Sequence, residues 1–289
     1  MALIKTEKLT HRYSTGTPFE RVAVYNVDFE AHAGEYIGII GATGSGKSTF
    51  IQHLNGLLKP TSGSIFYDGV DIYETKEFLR ELRFKVGLVF QYPEYQLFEA
   101  TVFEDIAFGP KNMGLSEEEI KNRVYESARF VGLAEALLKK SPFELSGGEK
   151  RRAAIAGVIS MQPKVLILDE PTAGLDPRGQ AEIIQNISDY KEAQGATIIL
   201  VTHNMDEIAR RVDRLVVLNA GTVIMTGSPA EIFSQTSKLS ELGLAAPKAS
   251  MISARLRLLG LSVSAEIYTI AQLKKALIEL KGRGDSVNA

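Results

Sequence analysis

The 289-residue chain carries 33 basic and 35 acidic residues, a formal charge of −2, and no cysteine. That length supports one large α/β domain with an appendage, or two domains. The absence of a basic stripe argues against nucleic acid as a partner, and the lack of cysteine excludes disulfides, thiolate metal sites and a cysteine nucleophile. The four histidines are scattered, which argues against a structural zinc site. Residues 1–7 hold no apolar core of a secretory signal, and the longest apolar runs are strand-sized. Membrane attachment would therefore be peripheral, through another protein.

In chain order, the first third reads as short strands. Tyr36 to Ile40 is a mostly apolar run that stops at a glycine-rich loop, as a buried parallel strand should. Gly63 to Tyr67 and Val70 to Ile72 flank Asp68-Gly69, which predicts a hairpin with a type I′ turn. Val86 to Phe90 is another buried run, ending at Gln91. From about 92 to 160 the period becomes helical. Ser116 and Glu119 form a capping box, Ile120, Val124, Ala128 and Val131 follow at helical spacing, and Gly132 is a stop. Two further buried strands, Val165 to Leu168 and Ile198 to Val201, enclose a helix through Ile183, Ile184 and Ile187. This alternation predicts a mostly parallel α/β sheet. Past about 231, amphipathic helices are expected over 251–259 and 271–280, and the polar tail 282–289 is expected to fray.

Gly41, Ala42, Thr43, Gly44, Ser45, Gly46, Lys47 and Ser48 fit the P-loop pattern at every fixed position. Its glycines let backbone amides face phosphate oxygens. Lys47 is placed for the β- and γ-phosphates, and the Ser48 hydroxyl for magnesium. Asp169 and Glu170 end an apolar strand: Asp169 suits the metal, and Glu170 suits the attacking water. The alternative is an acidic strand terminus meeting solvent. Gly41, Gln91, Asp169 and His203 all lie at carboxyl ends of strands, where open α/β sheets bind ligands. Leu145-Ser146-Gly147-Gly148-Glu149 is a second phosphate-cradle sequence. Ser146 and Glu149 have capping-box spacing, yet a cap does not require two glycines, which are poor helix formers. With the chain's own site supplied elsewhere, the economical partner for this turn is a phosphate held by another copy of the fold.

Together, the P-loop, Gln91, Leu145 to Glu149, Asp169-Glu170, Gly174-Leu175-Asp176 and His203 resemble the ATP-binding cassette (ABC) ATPases over roughly residues 3–230. The resemblance implies a P-loop NTPase cassette with a mostly parallel core sheet. It adds an N-terminal antiparallel β subdomain and a helical signature subdomain near 92–160. It also implies ATP and Mg2+ as ligands. Tyr13 would stack on adenine, Thr49 would complete the P-loop set, and Gln91 would sense magnesium and couple to a membrane partner. Asp176 would lie at a dimer seam, and His203 would contact the γ-phosphate. For Tyr13 the alternative is an ordinary strand-edge tyrosine.

A finer resemblance rests on Gln91 to Val102, Phe108 to Asn112 and Ser146 to Arg152, which look like the A-prime ATPase of energy-coupling factor (ECF) vitamin transporters. Glu149 departs from the glutamine that most ABC proteins carry there. This resemblance implies a heterodimer with a related ATPase, and a dimerisation role for residues 231–289. It also implies a transmembrane coupling subunit docking near Gln91 to Phe98, a substrate-binding membrane subunit acting indirectly, and a place on the cytoplasmic side of the cell membrane. Local core packing is the alternative for Tyr92, Tyr95 and Phe98. The rival functions are another ABC importer, a soluble non-transport ABC ATPase and a non-hydrolysing regulatory cassette.

Overall fold

The runs of buried aliphatic residues set the order of a two-sheet core in the computed structural model, which describes residues 2–285. Two long strands open the chain, β1 (Ile4–Tyr13) and β2 (Arg21–Ala31); β3 (Tyr36–Ile40) then leads through the P-loop into α1 (Lys47–Leu54). Next come β4 (Ser62–Tyr67), β5 (Val70–Asp71), α2 (Lys76–Lys85) and β6 (Val86–Val89). Three helices follow, α3 (Val102–Asn112), α4 (Glu117–Phe130) and α5 (Gly147–Ile159). The core closes with β7 (Val165–Asp169), α6 (Pro177–Gln194), β8 (Thr197–Val201), α7 (Met205–Ile208), β9 (Arg214–Asn219) and β10 (Thr222–Gly227). Last are α8 (Pro229–Phe233), α9 (Thr236–Glu241), α10 (Lys248–Leu258) and α11 (Ile270–Asp285). Of the tail expected to fray, the backbone to 285 continues α11, and residues 286–289 lie outside the described residues.

The core sheet runs β10-β9-β3-β8-β7-β6, parallel except for β10. Every residue of β3, β7 and β8 is buried. Burying one such aliphatic side chain contributes about 1.5–3 kcal/mol, which is why these runs select the sheet centre. Register pairs Val89 with Leu168, Asp169 with Val201 and Ile39 with Val201. The four strand ends therefore finish level, and the loops after them open onto one crevice.

The second sheet, β2-β1-β4-β5, is antiparallel. Its β4–β5 hairpin turns at Asp68 and Gly69 with φ of 50° and 81°, the type I′ geometry read from the dipeptide. The long strands β1 and β2 differ from the short strands expected for this region. Bulges break their register between Thr6 and Leu9 and again near His11. Each bulge shifts the inward-facing set by one residue, so no sustained alternation survives in the sequence.

Side chains from the sheet, α3 to α6 and the segment through Ala246 share one apolar cluster, and a second fills the space under the antiparallel sheet. A separate small cluster of Ala249, Val263, Ile267 and Leu273 joins α10 to α11. No helix among the described residues is long and apolar enough to cross a membrane.

Candidate functional site

At the P-loop, Gly44 and Gly46 adopt φ of 78° and 100°, where a side chain is strained. A methyl group on Gly46 would also strike the Ala23 carbonyl of β2. The loop thus turns sharply and delivers α1 with no side-chain cap at its N-terminus. By contrast, α2 to α6 all carry a capping side chain. Uncapped first-turn amides and the helix dipole favour an anion. Among the described residues, the Ser45 hydroxyl buried in the same loop has no hydrogen-bond partner. Lys47 is buried and donates to the Gly41 and Ala42 carbonyls at 2.8 and 3.0 Å. Burial lowers its pKa, against the opposing pull of Glu170 and Asp169. A desolvated cation, an orphan hydroxyl and an uncapped helix in one loop fit a nucleotide's phosphates.

Asp169 and Glu170 end β7 but do different things. Burial raises the Asp169 pKa, while a hydrogen bond from Ser48 opposes it. Ser48 and Asp169 therefore already face each other, and a hydroxyl with a carboxylate is an oxygen donor set suited to magnesium. Glu170 is left-handed, with φ of 47°, a conformation rare outside glycine that recurs at functional sites. Its carboxylate is held from both sides. Gln91 Nε2 donates to Oε2 at 3.3 Å, and His203 Nε2 lies 2.8 Å from Oε1. Three strand ends thus converge on one carboxylate. The Gln91 amide points a donor at Glu170, so any metal contact would use its oxygen.

Tyr13 ends β1 at the mouth of this cleft, 41% exposed, with its hydroxyl 3.2 Å from Thr49 Oγ1. His11 packs edge-on against it, at 4.6 Å between centroids, and against His53 of α1 at 4.7 Å. The half-exposed ring meets what an adenine platform requires.

Ser146 to Glu149 lie elsewhere. The P-loop cleft is lined by Tyr13, Arg21, Ala23, Gly44, Gly46, Lys47, Ser48 and Thr49. Gly148 instead shares a concavity with Leu175 and Asp176. Ser146 caps α5 in the expected box: its N–H and hydroxyl donate to Glu149 Oε2 at 2.8 and 2.7 Å, and its oxygen accepts from Glu149 N at 3.4 Å. Those bonds lower the Glu149 pKa. Asp176 caps α6, accepting from Gly179 N at 2.9 Å.

The segment after Gln91 is exposed rather than packed as core: Tyr95 is 84% and Phe98 62% accessible. Phe98 and Phe108 meet edge-on at 5.0 Å and, with Leu57, line a groove beside α3 and α5. Beneath it, buried Arg151 of α5 grips Glu94 at 2.7 and 3.0 Å and reaches the Ala173 carbonyl. One guanidinium therefore ties together the segment after Gln91, the signature helix and the segment before Asp176. Sequence reading missed this contact, and missed Arg21, Ala23, His11 and His53, because none lies in a local motif. Cross-strand or long-range register brings each to the site.

Residues 24–173 match the family model described as ABC transporter. "Energy-coupling factor transporter ATP-binding protein EcfA2" of Clostridium perfringens is 54% identical over 96% of this chain and 98% of its own length. The protein of that name from Caldanaerobacter subterraneus subsp. tengcongensis is 50% identical over 95% and 96%. Among solved structures, cbiO1 from Clostridium perfringens, described as part of the ABC transporter complex cbiONQ, superposes with a TM-score of 0.74 at 39% identity, covering 90% of this chain and 99% of that one. An ATP-binding cassette solved as a post-hydrolysis dimer bound to ADP and Pi gives 0.71 at 29% identity, covering 78% and 98%.

Proposed function

The chain belongs to the ABC transporter ATP-binding family, and from that membership we propose that it is the A-prime-type ATPase subunit of an energy-coupling factor importer for vitamins or related micronutrients. It binds ATP and hydrolyses it to drive transport. The observation that carries the two-subunit reading is the separation of the P-loop cleft from the signature turn. A turn outside the chain's own cleft serves the phosphate of a facing subunit, and a related ATPase fills that place.

The phosphates rest on the amides of 41–48, with Lys47 on the transferring group. Ser48, Asp169 and the Gln91 oxygen would hold magnesium, which would supply charge neutralisation at the phosphates. Glu170 orients the attacking water and accepts its proton. Gln91 and His203 keep that carboxylate aimed. Tyr13 receives adenine. Closure on ATP brings two such subunits together.

A transmembrane coupling subunit docks in the groove near Gln91 to Phe98. Support comes from the exposed Tyr95, Phe98, Phe108 and Leu57, an apolar patch of the kind that marks interaction sites. The substrate-binding membrane subunit acts through that partner. Residues 231–289 form a dimerisation extension, supported by exposed Met251, Leu258, Leu259 and Ile278. Docked on that partner, the subunit would sit on the cytoplasmic face of the cell membrane.

Affinity purification of the tagged chain from detergent-solubilised membranes tests the reading. The expected companions are a second, related ATPase and a multi-spanning subunit. Recovery as a free soluble protein without either would overturn it.

A further inference from the structure

Arg21 opens β2 directly opposite Tyr13 in the β1–β2 register. Opposed residues in an antiparallel pair share a face of the sheet, so the aromatic platform and this cation stand side by side. The guanidinium then reaches the P-loop: a methyl group built on Gly44 would lie 3.6 Å from Arg21 Nη2. Arg21 lines the same cleft as Lys47, Ser48 and Thr49. Among the described residues, no hydrogen bond or ion pair engages its side chain. Its sequence neighbour Glu20 is already committed, to Arg12 at 2.7 Å and to the Gly16 N–H at 3.0 Å. An unpaired planar cation with a fork of donors, beside amides set for phosphate, has the chemistry of an oxyanion ligand.

We propose that Arg21 is a nucleotide-binding residue that grips the α/β-phosphate end of the nucleotide. The assignment rests on the ATP reading above and adds a division of labour within the cleft. P-loop amides cradle the α- and β-phosphates, whereas the P-loop lysine serves the β/γ end. A cation beside Gly44 therefore acts on phosphates that ADP retains. It strengthens substrate and product binding together, which sets affinity and product release rather than the chemical step.

Calorimetric titration of the full chain with ATP, ADP and adenosine tests this in wild type, Arg21→Gln and Arg21→Lys. A charge-assisted hydrogen bond contributes about 1.5–3 kcal/mol. Arg21→Gln should therefore weaken ATP and ADP alike, by at least about tenfold, and leave adenosine unchanged. Arg21→Lys should recover part of the loss. In the assembled complex, KM should rise while kcat holds. Equal ATP and ADP affinity in wild type and Arg21→Gln would overturn the assignment. So would a matching loss for adenosine, which would indicate a disturbed platform. Wild-type protein that fails to bind ATP would instead overturn the nucleotide reading itself.

Discussion

The P-loop and the signature turn are both glycine-containing loops that open a helix, yet they treat that helix oppositely. At α1 the N-terminus has no side-chain cap, the Ser45 hydroxyl has no partner among the described residues, and Lys47 is buried on carbonyls. At α5 the N-terminus is closed by Ser146, which is exposed, and Glu149, which is half-buried. The first loop leaves its helix start without a side-chain cap, with donors turned inward. The second is satisfied alone and waits at the surface. On the proposed reading, one chain holds a whole nucleotide cleft and half of another.

Placing a bulky cation on the waiting half breaks the comparison most sharply. Ser146→Arg should eliminate ATP hydrolysis by the site this turn faces in the assembled complex, while ATP affinity of the isolated chain stays at the wild-type value. Paired turnover and binding measurements decide this, and lost binding in the isolated chain would place both loops in one site. A smaller effect is expected inside the cleft. Glu170→Gln should slow hydrolysis by about 10²–10³-fold, the usual scale for losing one transition-state contact. The ATP-bound dimer should then accumulate in size-exclusion chromatography. Turnover near wild type would remove Glu170 from its role.

The smallest effect concerns acid and the P-loop half alone. Burial first, opposed by hydrogen bonds to backbone carbonyls and aided by His11, lowers the His53 pKa from 6.5 to about 4. A folded-state pKa below the unfolded one means that the unfolded chain takes up the proton first. Stability is therefore unaffected above 6.5 and falls as pH drops from 6.5 towards 4. The slope approaches about 1.4 kcal/mol per pH unit. Denaturant melts of His53→Phe should show that component of the slope removed, and an unchanged slope would assign the acid sensitivity elsewhere.

What could be read from residues alone follows the range of the interaction. The P-loop, the strand ends, the Asp68-Gly69 turn and the boxes at Ser116 and Ser146 are set by neighbours within a few positions, so short patterns reveal them. Helix α2 escaped although Phe78, Leu79 and Leu82 give it an apolar face, because its ten residues lie in a region otherwise patterned as short strands. Bulges hid β1 and β2. Arg21 gains its place from a cross-strand partner, and Arg151 finds Glu94 57 residues away. In the catalytic cluster, the positions of Gln91, Glu170 and His203 were legible as strand ends. Their mutual hydrogen bonding was not, because it depends on the left-handed turn at Glu170.

The box at Ser146 has a consequence for how the turn discriminates. Its hydroxyl is not idle: it donates to a carboxylate at 2.7 Å, and that bonding keeps Glu149 ionised further into acid. A phosphate arriving there, as proposed, would therefore have to displace an internal anion. A stray or poorly placed anion gains nothing over the occupant. On the proposed reading, only one presented at the right range by a facing subunit would win the exchange, and the turn would work as a threshold whose competitor the chain itself carries.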